Sequence, residues 1–109
     1  MSYDPGLVER VRDALPVLGA AGARQKNVFG GRGFLEGKST FVIVWGEGLL
    51  VKTTAAEYAA ARAEPDITPF APDGGRPMGT WLVVPAERVA DDPDLAAWVA
   101  RGLRAVRGG

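Results

Sequence analysis

The chain has 109 residues, 47% of them hydrophobic and 24% charged, the make-up of one soluble globular domain able to bury a core without staples. It holds no cysteine and no histidine, which excludes disulfides and thiol chemistry, argues against zinc and most transition-metal sites, and removes the usual general base. Thirteen basic residues balance thirteen acidic ones, so the basic excess of a compact DNA-binding domain is missing and direct nucleic-acid binding is disfavoured.

Asp4 and Pro5 make a helix start, an N-cap followed by a residue suited to the first turn. Leu7, Val8, Val11 and Leu15 then recur at helical spacing. Pro16 disfavours helix at Leu15, so the helix near 5–15 should stop or kink around Ala14. Gln25 to Gly31 and Gly33 to Gly37 read as two short strands, or as one strand bent at the glycines. Thr40 to Gly46 is the clearest strand, β-branched and aromatic throughout. Gly46-Glu47-Gly48 is a hairpin connection and Leu49 to Thr53 the returning strand.

Thr54 with Glu57 three residues on is a capping box. It opens an alanine-rich helix near 55–63, which Pro65 stops. The Pro- and Gly-rich stretch after it is mostly loop, with room for a short edge strand at Ile67 to Phe70. Thr80 to Pro85 is another strand. The last helix, near 93–106, takes Asp92 as its cap and Pro93 at its first position, and buries a stripe of Leu95, Trp98, Val99, Leu103 and Val106. Arg101, Arg104 and Arg107 lie toward its negative end. The order predicts an α+β fold: one domain over 1–109, an antiparallel sheet of about five to six strands, and three helices packed against it.

Gly31 to Ser39, with Gly37-Lys38-Ser39 at its end, invites comparison with a phosphate loop. The register fails, because the glycine that pattern needs falls on Arg32. The context fails too, because a strand follows where a helix N-terminus should. The glycines fit a bent hairpin better: Gly30 and Gly31 permit a sharp turn and Gly37 a positive-φ turn.

Phe29-Gly30-Gly31, two residues, then Phe34 resembles the F-G-G-x-x-F signature of the TfoX N-terminal domain family. The opening helix, Gly48 to Pro65, Arg76-Pro77-Met78-Gly79-Thr80-Trp81 and the closing helix are similar to that family's segments in the same order. Thr80 stands where the family usually has Gly, and Gln25-Lys26 where it has a basic pair. The resemblance implies a single antiparallel sheet with helices packed on it and a stand-alone form of the domain that opens longer competence regulators. It implies no catalytic residues.

Scattered carboxylates and two serines with no imidazole to activate them give no catalytic constellation, and Asp91, Asp92 and Asp94 read as helix-end charges, not as a metal loop. No enzyme activity, cofactor or metal is expected. The expected function is a small regulatory or protein-interaction module. Its surface would comprise Phe29, Gly30, Gly31, Arg32 and Phe34 together with Arg76, Pro77, Met78 and Trp81. The alternative is a small-molecule-binding or enzymatic domain with a pocket between sheet and helices. Arg24, Lys26, Arg32 and Arg76 flank these loops and raise the question of an anion patch, for which solvated surface charge is the preferred reading. Phe41 to Trp45 is apolar on both faces, so both faces of the sheet must be covered. A homodimer that uses a sheet face or edge is the expected source of that cover, and a helix or long loop of the same chain is the alternative. A component of the transcription machinery is a further partner to consider. No stretch approaches the roughly 18 apolar residues of a membrane span, and no apolar signal core follows the start, so a cytoplasmic protein without membrane partners is expected.

Overall fold

The computed structural model describes residues 3–108. Helix α1 spans Pro5–Ala14, and four strands follow: β1 Arg24–Val28, β2 Gly31–Glu36, β3 Ser39–Trp45 and β4 Gly48–Lys52. Helix α2 is Ala55–Arg62, β5 is Thr68–Pro69 and β6 is Trp81–Val84, and a 3-10 turn at Ala86–Val89 leads into α3, Asp92–Val106. The six strands form one antiparallel sheet in the order β1-β2-β3-β4-β6-β5. The α+β architecture is the one the sequence predicts. Ser39 opens a strand, so no helix N-terminus waits for a phosphate at Gly37-Lys38.

The caps explain the helix ends. Asp4 accepts from the Gly6 amide at 2.8 Å, and α1 stops two residues before Pro16. Thr54 accepts from the Glu57 amide at 3.0 Å, the first half of the capping box. At α3 the sequence reading is off by one residue. Asp91 holds the N-cap position without a side-chain cap bond, while Asp92 is already helical. The Asp92 carboxylate is engaged elsewhere, accepting from Arg10 Nη2 at 2.9 Å. The same Arg10 nitrogen donates to the carbonyls of Val89 and Ala90 at 2.9 and 3.0 Å, so one guanidinium ties α1 to the turn before α3.

All three helices cover one face of the sheet. Leu7, Val11, Leu15, Ala61, Val99 and Leu103 meet Phe34, Val42, Val44, Leu49 and Val51 in one buried cluster. Each such large side chain contributes on the order of 1.5–3 kcal/mol. A register shift between β2 and β3 pairs Phe34 with Val42 and Leu35 with Thr40, leaving Phe41 unpaired. That bulge turns Phe41 into the same cluster as its neighbour Val42. It is one reason β3 reads as apolar on both faces.

The other reason is a second, smaller cluster on the opposite face. There Phe70 and Trp81 pack on Ile43 and Leu50, with Met78 and Val83 beside them. The loop between β5 and β6 is laid back over the sheet by two backbone bonds, Phe70 N–H to the Trp81 carbonyl at 3.0 Å and Met78 N–H to the Phe70 carbonyl at 2.8 Å. The chain thus covers the middle of its own second face.

Candidate functional site

The second face is open where the β1–β2 turn meets the end of β3. Val28 pairs with Gly31, so Phe29 and Gly30 alone make the turn. Both take left-handed backbone angles, φ 52° at Phe29 and 78° at Gly30. Two positive-φ residues in a two-residue hairpin match the twist of the strands they join, which is why Asn-Gly and Gly-Gly favour this turn. A phenylalanine in that first position is uncommon. A Cβ at Gly31 would fall on the Val44 carbonyl oxygen and against the Ile43 side chain, so only glycine lets the hairpin lie down on β3 there.

Three rings fix the turn. Phe29 and Trp45 each meet Phe70 edge-on, with centroids 5.5 Å apart in both pairs and interplanar angles of 71° and 69°. The Trp45 indole N–H donates to the Phe29 carbonyl at 3.2 Å. Phe70 is buried, whereas Phe29 is 50% and Trp45 36% exposed. With Pro69, Pro72 and Val83 they line an open cleft of about 360 Å³. Its walls are aromatic and proline rings, the composition of a surface that receives apolar side chains.

The residues expected from the sequence distribute around this cleft unevenly. Phe29 lines it, and Gly30 and Gly31 shape the turn that presents that ring. Phe34 does not, being fully buried under the helices on the opposite face. Trp81 and Met78 form the floor of the second-face cluster, and Arg76 and Pro77 are exposed in the loop above. Arg32 lies on the helix side of the sheet, where it donates to Gln25 Oε1 at 2.9 Å and to Asn27 Oδ1 at 3.0 Å. The register places Arg24 and Lys26 on the other face from Arg32, and Arg24 is hydrogen-bonded to the Gly37 carbonyl. The four cations therefore do not gather into one patch beside the cleft. Trp45, Phe70, Pro69 and Pro72 escaped the sequence reading. Their one signal was a tryptophan closing a strand immediately before Gly46.

The perturbed titrating groups lie away from the cleft. Glu36 is held below the ordinary carboxylate range by the Arg107 guanidinium, which donates to both of its oxygens at 2.6 Å. Glu57 is lowered likewise by Arg104, at 2.7 and 2.9 Å, and both arginines are raised in turn. These pairs fasten α3 to the end of β2 and to α2, so the shifts have a structural cause. Among the described residues no group of His, Cys, Asp or Glu side chains is placed to hold a metal, and no helix is long and apolar enough to cross a membrane.

Comparison with known proteins matches residues 18–106 to the TfoX N-terminal domain family, nearly the whole chain. The match begins after α1, so the likeness read at the opening helix lies outside it. No curated protein matches the chain.

Proposed function

Because the chain belongs to the TfoX N-terminal domain family, we propose that it acts as a regulatory protein-interaction module that docks through the aromatic cleft at the Phe29–Gly30 turn. One observation carries the reading. Phe29 sits in a backbone conformation costing a non-glycine residue about 1–2 kcal/mol and keeps half its surface in water. Neither condition serves the stability of the free domain, and both fit a ring offered to a partner. The TfoX N-terminal domain is not a known enzyme family. The cleft reading is preferred to the small-molecule alternative because Phe41, Val42, Val44 and Val99, at 0% exposure, occupy the middle of the layer between sheet and helices.

The partner we propose first is a second copy, burying Phe29 and Trp45 against one another. Sedimentation at micromolar concentration should then give a dimer for the natural chain and a monomer for the Phe29→Ala, Trp45→Ala double variant. A chain that stays monomeric removes the homodimer. The docking reading then rests on capture from native lysate. A protein retained by the natural chain and by Val17→Ala, but lost by the double variant, supports it. Equal capture by all three overturns it.

A further inference from the structure

The sheet has two edges, and they differ. At one end β5 is two residues long and half proline, a blunted edge. At the other end β1 offers a full strand. The two-residue turn determines which of its groups are free. Val28 and Gly31 flank the turn as a hydrogen-bonded pair, and alternation makes Lys26–Gly33 and Arg24–Leu35 hydrogen-bonded pairs as well. Gln25 and Asn27 therefore direct their backbone N–H and C=O away from β2, and among the described residues no turn or loop bond engages either.

Charge is segregated toward this edge although the whole chain is neutral. Between residues 15 and 46 the cations are Arg24, Lys26, Arg32 and Lys38, and the one carboxylate is Glu36. Glu36 is held by Arg107, and among the described residues none of those four cations has an ion-pair partner; the ion pairs lie elsewhere. We propose that β1 accepts an added antiparallel strand from a partner protein, an extended segment carrying carboxylates at alternate positions that face Arg24 and Lys26.

Edge strands take such partners by main-chain bonding, and the facing side chains select among them. Self-pairing is opposed by the sequence of β1. A two-fold ladder joining Gln25 to Asn27 sets Lys26 against Lys26, and one joining Gln25 to Gln25 sets Arg24 against Lys26 twice. Joining Asn27 to Asn27 avoids like charges but runs Gln25 into the turn residue Phe29. Single-stranded nucleic acid is the weaker fit, because phosphates answer the free N–H groups but leave the Gln25 and Asn27 carbonyls unpaired.

The test is an amide-resolved NMR titration of the full chain with a short synthetic peptide of alternating Thr and Glu, beside its Thr-Lys counterpart and oligothymidylate. The Glu peptide should shift the Gln25 and Asn27 amides and slow their hydrogen exchange about tenfold at saturation, and the Lys peptide should bind at least about tenfold more weakly. Lys26→Glu should weaken the Glu peptide about fivefold or more. Asn27→Pro, which removes an outward donor, should abolish protection; if that variant does not fold, Lys26→Glu decides. Equal binding of both peptides, unprotected amides at saturation, a stronger response to oligothymidylate, or protection that rises with protein concentration alone would each overturn the proposal. Failure here leaves the cleft reading intact, since that reading is tested on Phe29 and Trp45 variants.

Discussion

Phe29 and Phe34 belong to one short motif, yet they meet opposite surroundings. Phe34 lies in mid-strand and turns under the helices, while Phe29 sits on the turn with its ring in the cleft. Their substitutions should separate cleanly. Phe34→Ala should lose about 3–5 kcal/mol in urea unfolding. Phe29→Asn eases the left-handed backbone, recovering part of that cost of about 1–2 kcal/mol, and gives up an edge contact worth about 0.5–1.5 kcal/mol. Its net change should stay within about 1 kcal/mol. A large loss at Phe29 would mean that the ring serves the core. The sequence showed the pair of glycines and the turn they permit. It did not show which phenylalanine faces water, because that depends on where the two-residue turn begins.

At the scale of elements, α3 sits so close to the sheet that a Cβ at Gly102 would strike the Phe41 carbonyl. Alanine favours an isolated helix over glycine by about 1 kcal/mol. Gly102→Ala should nevertheless destabilise the protein by about 1–3 kcal/mol, since the helix must lift off β3; a gain in denaturant midpoint would contradict that contact. The same helix is clamped by the Glu36–Arg107 and Glu57–Arg104 pairs. Both carboxyls are lowered by folding, so their contribution is complete above the unfolded carboxylate pKa, roughly pH 4. It is lost as pH falls through their lower folded values. The urea midpoint should therefore drop on acidification below about pH 4, and drop less in Glu36→Gln, Glu57→Gln. The basic run along α3 was legible as a match to the helix dipole. Its partners were not, because Glu36 and Glu57 come from other elements.

The whole molecule solves a problem that the sequence posed and left open. Apolar strands demanded cover on both faces, and the cover comes from two sources: a bulge that turns Phe41 toward the helices and a Pro-rich loop that returns over Ile43 and Leu50. A loop reads as unstructured in sequence because its packing partners lie on distant strands. Phe70 anchors it, so Phe70→Ala should cost about 3 kcal/mol or more and expose the second face to an apolar dye. Unchanged dye binding would show that the loop is not the cover.

The two ends of the sheet also govern how far any growth along it can go. Repeated stacking of copies into a fibre requires each newcomer to present a receptive border for the next. Here Pro69 blunts one border and the cations of β1 set like charges against one another at the other, so copies of this chain lack the repeating edge-to-edge contact from which a fibre could grow.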